Sequence, residues 1–252
     1  MSRSTTHGDN LIQVERFTTN CFFVREADGL TLVDCLWPGS AKLILAAAER
    51  AGAPIRRIAL THAHHDHTGA LEPLRRALPD AELLVGERES RLLRSDLDLV
   101  PGEPRGKLRG FVFRPRSVKP DTLLSFGDRI GSLEVVDAKG HTPGQVGFLD
   151  TRDRTLIAGD ALLTVGRPFV CSELVLRFPA PALIGTWHKP TAVATARALR
   201  ELEPARLATG HGAVVDDPVA AMDEAIRRAA RRCSRSGRAS GRGRSPEPAP
   251  RR

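Results

Sequence analysis

The sequence predicts a mixed α and β fold made of two strand-rich halves with helices outside them. Short apolar runs recur along the chain, each closed by Gly, Asp or His, and stretches with helical spacing lie between them. The chain has 252 residues, 41% of them hydrophobic, enough for one substantial core and no second one. No run of about 18 apolar residues marks a membrane span, and Met1–Asn10 lacks the apolar stretch of a signal peptide. The expected location is therefore the cytoplasm. Cys21, Cys35, Cys171 and Cys233 are widely separated and fit reduced thiols in such a compartment.

Taken in order, Leu11–Phe17, Cys21–Arg25 and Leu30–Asp34 read as strands, the last two joined by the turn Ala27-Asp28-Gly29. Ser40–Ala51 reads as a helix capped by Ser40 and ended near Gly52 and Pro54. Ile58-Ala59-Leu60 reads as a buried strand, followed by helices over 69–78 and 87–95. Residues 99–120, rich in Pro, Gly and Arg, read as irregular. Strands return over 122–126, 133–137, 145–150 and 154–158. A helix over 191–203, a short run ending at Ala208 and a final helix over 217–232 complete the body.

Four of the eight histidines fall within Thr61-His62-Ala63-His64-His65-Asp66-His67, together with a carboxylate. The cluster follows a buried strand and precedes a helix, and the carboxyl ends of strands are where open α/β sheets bind ligands. In an extended loop residues i and i+2 face one side, so His62 and His64 can share one cation while Asp66 and His67 turn toward a second. Three more apolar runs end in one candidate ligand each: His141 in Gly140-His141-Thr142-Pro143-Gly144, Asp160 after Leu156-Ile157-Ala158-Gly159, and His211 after Leu207-Ala208-Thr209-Gly210. Imidazole and carboxylate suit Zn²⁺, with Fe or Mn as substitutes, and no cysteine in the set favours a closed structural zinc.

At these residues the chain resembles the metallo-β-lactamase-fold hydrolases, whose pattern His-x-His-x-Asp-His, then His, then Asp, then His, is matched at all seven positions over roughly residues 10–225. The resemblance implies an α/β (α+β) four-layer αβ/βα sandwich. It implies two Zn²⁺ ions, the first on His62, His64 and His141 and the second on Asp66, His67 and His211, with Asp160 as the bridge. Asp66 and Asp160 become the catalytic carboxylates. Metal lowers the pKa of a bound water from 15.7 toward about 7 and so supplies hydroxide at neutral pH. The implied reaction is hydrolysis of an ester, thioester or lactone in a small acyl substrate. In the family an aspartate at the position of Asp34 supports the metal site, and here a hydrogen bond to a ligand histidine competes with an ordinary strand-end turn.

Relatives on the same fold bound the substrate. Glyoxalase II-like thioesterases share the ligands, but their longer members carry a further helical domain for glutathione, and here the core ends soon after His211. Quorum-signal lactonases use a pocket tyrosine, and this chain contains none. True β-lactamases are exported and usually lack the bridging aspartate. The alternatives are an iron-dependent persulfide dioxygenase and a nucleic-acid-processing nuclease. Leu162–Trp187 should wall the pocket, with Phe169, Val170, Leu174, Val175, Leu176, Phe178, Leu183 and Ile184 facing an apolar acyl group and Arg167, Arg177 and Lys189 able to meet a carboxylate. His65, in the alternate phase of the motif, should point away, and His188 should belong to the start of a helix.

The formal charge of +8 is unevenly spread. Ten of the 38 basic residues and one of the 30 acids, Glu247, fall in 227–252, which leaves 1–226 near neutrality. Two parts follow: a hydrolase-like domain over 1–226 and an Arg/Ser/Pro/Gly-rich tail over 227–252, expected to be disordered. The tail suits weak contact with a polyanion. It has no aromatic residue for stacking on bases. The sequence leaves a homodimer open.

Overall fold

The computed structural model describes residues 2–108, 118–173 and 185–240, the side chains of Ser2 and of 235–240 excepted. One sheet of seven strands runs in chain order: β1 (Ser2–His7), β2 (Leu11–Arg16), β3 (Thr19–Glu26), β4 (Gly29–Val33), β5 (Ile55–Leu60), β6 (Glu82–Gly86) and β7 (Thr122–Leu124). The first four form an antiparallel meander, and β4 to β7 are parallel. Parallel neighbours need crossovers, which here are α1 (Ala41–Ala51), the pair α2 (His65–Thr68) and α3 (Leu71–Ala77), and the segment opened by α4 (Glu87–Leu93).

The second sheet contains β8 (Arg129–Ile130), β9 (Leu133–Asp137), β10 (Val146–Asp150), β11 (Thr155–Ile157), β14 (Arg206–Ala208) and β15 (Val215–Asp216), in the order β15-β14-β11-β10-β9-β8. A small hairpin, β12 (Leu162–Leu163) with β13 (Phe169–Val170), follows β11. Helices α5 (Lys189–Glu201) and α6 (Val219–Ser240) pack outside.

Period-two alternation sorts side chains into layers. Cys21 and Phe23 of β3 join α1 and α3 in an outer core with Ile44, Ala47, Leu71 and Leu74, whereas Phe22 and Val24 face inward. Those inward residues meet Leu133 and Val135 of β9 and Val146 and Phe148 of β10 between the two sheets. Leu156, Leu207 and Leu149 turn the other way, against Ala192, Ala196 and Leu199 of α5 and Met222, Ala225 and Ile226 of α6. Helix, sheet, sheet and helix are the four layers expected from the resemblance.

Several boundaries differ from the sequence expectation. The helix expected over 69–78 is α3, Leu71–Ala77, and a separate short helix, α2, forms before it within the histidine motif. β2 ends at Arg16 because Phe17 and Thr18 take positive φ, 53° and 69°, to turn into β3. Ser40 is not a side-chain cap: its backbone is helical and its hydroxyl accepts from Arg16 at 2.8 Å. The final helix continues to Ser240, through residues assigned by composition to a tail. Ala229 is buried and Ala230 and Cys233 pack on the outer core, so the apolar stripe extends well past residue 226. Residues 241–252 lie outside the described part. Among the described residues no helix is long and apolar enough to cross a membrane.

Candidate metal centre

The carboxyl ends of β4, β5, β11 and β14 and the β9–β10 turn meet at one edge of the sandwich. Asp34 follows β4, His62 and His64 follow β5, Asp66 and His67 lie in α2, His141 sits in the β9–β10 turn, and Asp160 and His211 follow β11 and β14. His62, His64 and His141 form one group, their atoms converging with His62 Nε2 3.1 Å and His141 Nε2 2.9 Å from His64 Nδ1. Asp66, His67 and His211 form a second, with Asp66 Oδ2 3.6 Å from His67 Nε2 and 3.3 Å from His211 Nε2. Asp160 lies between them. Its Oδ2 is 3.5 Å from His141 Nε2 and 3.2 Å from His211 Nε2, and its Oδ1 is 3.5 Å from His67 Nε2.

Each imidazole is aimed by its other nitrogen or its loop. His62 Nδ1 contacts Thr61 Oγ1 at 3.0 Å, His67 Nδ1 contacts Asp34 Oδ2 at 2.9 Å, and His211 Nδ1 contacts the Thr18 carbonyl at 3.2 Å. Asp34 also accepts from the Thr61 amide and hydroxyl, both at 2.8 Å. The expected contact between Asp34 and a cluster histidine is thus present, and the backbone leaves β4 there with a positive φ of 63°. Glycine is required at 210, where a Cβ would collide with Asp160 Oδ1 and come within 2.6 Å of His67 Cε1. At Gly140 the backbone takes φ 129°, and a Cβ would run into the backbone of Ala192.

Burial alone would raise Asp66 and Asp160, but the surrounding imidazoles outweigh it and hold both well below the carboxylate range. Burial would likewise depress His67 and His211, yet the carboxylates around them push His67 up to about 9 and His211 up to about 10. His62 and His141 face neighbouring imidazoles, and burial with that repulsion lowers both, His141 to about 3. His67 Nε2 and Asp160 Oδ1 are buried with no hydrogen-bond partner. Unsatisfied buried polar atoms are costly. A buried cluster of two carboxylates and five imidazoles that leaves such atoms facing one another fits a cation, and the residues can hold metal.

His65 lies outside both groups and meets Trp37 edge-on, ring centroids 6.4 Å apart. His188 is the N-cap of α5 and accepts from the Thr191 amide at 3.3 Å. Phe169 and Val170, expected in a substrate wall, are instead buried in the outer core under α5 and α6, because the β12–β13 hairpin turns them inward. Arg167 and Lys189 are exposed. Leu174, Val175, Leu176, Arg177, Phe178 and Leu183, like Ile184, lie outside the described residues. A cavity of about 520 Å³ does open beside the His141 turn, lined by Leu124, Phe126, Pro143, Gly144, Val146 and Trp187 among others. Sequence reasoning missed Thr61 and Thr18, whose only signal was adjacency to a strand end.

A family model described as the metallo-beta-lactamase superfamily matches residues 14–211. The chain belongs to the metallo-β-lactamase superfamily. It is 41% identical over 213 residues to YobT of Bacillus subtilis (strain 168), an uncharacterized protein, covering 84% of this chain and 91% of that one. It is 29% identical to YflN of the same strain, a probable metallo-hydrolase, over 77% of this chain and 80% of that one. A hydroxyacylglutathione hydrolase of Shewanella baltica (strain OS223) is 26% identical over 68% of this chain and 56% of its own length. Among solved structures, DIM-1 metallo-beta-lactamase superposes with a TM-score of 0.68 over 92% of this chain and 98% of that one, at 16% identity, which is a likeness of fold. This superfamily member is a metal-dependent hydrolase.

Proposed function

We propose that the chain is a dinuclear zinc hydrolase of an ester, thioester or lactone bond in a small acyl substrate. His62, His64 and His141 would hold one ion, Asp66, His67 and His211 the other, and Asp160 both. The observation that carries this reading is the convergence of the seven side chains, with Asp160 Oδ2 within 3.5 Å of a nitrogen from each group. Bound metal would supply Lewis acidity and a water acidified to near neutrality. The chain's own residues do the positioning. Asp34 holds His67 by Nδ1, so that Nε2 faces inward. The histidines of the two groups are 0% to 5% exposed, whereas the Asp66 side chain is 13% exposed, so substrate would approach past Asp66. The cavity beside the His141 turn, walled by Leu124, Phe126, Val146 and Trp187 with the charged Glu87, Arg88, Glu103 and Lys139, has a size suited to a small ligand.

The likeness to a hydroxyacylglutathione hydrolase supports an acyl substrate, but this chain spans only 56% of that relative, so glutathione is not carried over. Cytoplasmic location and weak polyanion contact through 227–252 remain parts of the proposal that rest on sequence. The test is elemental analysis of the purified protein with a panel of small thioesters, lactones and esters. Close to two transition-metal ions per chain with turnover of one class is expected. A single iron would instead favour the persulfide dioxygenase, and no bound metal would overturn the reading.

A further inference from the structure

Glu89 of α4 is fully buried, and among the described residues no basic side chain hydrogen-bonds to it. Its Oε1 accepts from the Ala63 amide at 2.8 Å, its Oε2 accepts from the Thr142 hydroxyl at 2.9 Å, and the Gly144 amide also donates to it. Ala63 stands between His62 and His64, and Thr142 follows His141 directly. A single carboxylate thus joins the two loops that carry the three-imidazole group. The approach is close enough that a Cβ at Gly144 would collide with the Glu89 backbone.

Burying a carboxyl group here is unfavourable, and burial pushes Glu89 up to about 7. Packing alone would be served as well by an apolar side chain of similar volume. What an apolar side chain could not do is accept from a peptide N–H on one loop and a hydroxyl on the other. The Asp66, His67 and His211 group has no equivalent tie to Glu89 among the described residues; His67 is held from Asp34 and His211 from Thr18.

We propose that Glu89 is a positioning residue for the ion held by His62, His64 and His141, acting by clamping the β5–α2 loop to the β9–β10 turn. The proposal rests on reading those histidines as a metal site. Breaking the clamp should loosen one ion and spare the other.

Co²⁺ binding measured by competition with a chromophoric chelator, followed by the visible spectrum of the bound cobalt, reads this without any substrate. The unaltered chain should take up two ions. Glu89→Leu should weaken one of them by about 10- to 100-fold, in the range found for loss of a group that orients a ligand. The cobalt spectrum lost should be the one also lost in His64→Ala. Glu89→Gln keeps the size and one acceptor but sets an amide NH₂ against a donor, so its loss should be intermediate. If the Leu variant does not fold, Thr142→Val removes only the hydroxyl arm and should weaken the same ion by a few-fold. Unchanged affinity for both ions in folded variants, or equal weakening of both, overturns the clamp. Failure of the unaltered chain to bind Co²⁺ would instead overturn the metal reading itself.

Discussion

Asp34 adopts φ 63°, a conformation unfavourable for a residue with a Cβ, at the point where β4 stops. Three hydrogen bonds to its carboxylate, from Thr61 N, Thr61 Oγ1 and His67 Nδ1, hold it there. Asp34→Ala should therefore lower metal affinity by about 10- to 100-fold, and chelator competition would show it; unchanged affinity would mean that the strain serves the turn alone. The charges of the metal-free cluster make a second prediction. His67 and His211 rise from 6.5 to about 9 and about 10, so both are protonated at neutral pH when metal is absent. Raised folded-state values favour folding below the unfolded value, and that contribution is lost as pH climbs through about 9 and about 10. The metal-free protein should accordingly lose thermal stability from pH 7 to 10. Metal uptake at pH 7 should release about two protons per chain, measurable in weakly buffered solution. No release would contradict the charge state.

At the scale of elements, alternation decides what each strand contributes. Phe148 of β10 lies fully buried between the sheets, so Phe148→Ala should cost about 3–5 kcal/mol. Phe126, 54% exposed, should cost far less on the same change, and paired thermal melts would separate them. His188 tests the reading of a helix start. As the N-cap of α5 its replacement by Ala should cost about 1 kcal/mol and leave metal content unchanged. Loss of an ion in His188→Ala would assign it to the metal centre instead.

Over the whole molecule the basic surplus falls in 227–252, and the seven clustered side chains all precede it. Among the described side chains of α6 the last to pack is Cys233, and a chain ending at Ser234 keeps all of those that build the outer core. Such a chain should fold, bind metal and turn over a small neutral substrate within about twofold, a change below roughly 0.5 kcal/mol in the barrier. Six arginines go with the removed segment, from Arg235 to Arg252, so binding to heparin or RNA should weaken, most at low salt. Loss of turnover in a folded, metal-loaded truncation would assign the tail to the active site.

Much of this was legible in the residues themselves. Short apolar runs bounded by turn residues announced β3, β4, β9 and β10, and a chemically improbable density of His and Asp at strand ends marked seven residues in chain order. β6 was not read, since Leu83-Leu84-Val85 is a short continuous run between two helical stretches that periodicity cannot tell from helix, and neither was β1, a polar edge strand with no apolar signal. Spacing cannot say which ring nitrogen faces inward, because that depends on Thr61, Asp34 and Thr18 arriving from separate strands. Nor does anything around Glu89 mark it as more than a charged helix residue. Its partners lie 26 and 53 positions away, and only closure of the sandwich brings Ala63 and Thr142 to one carboxylate.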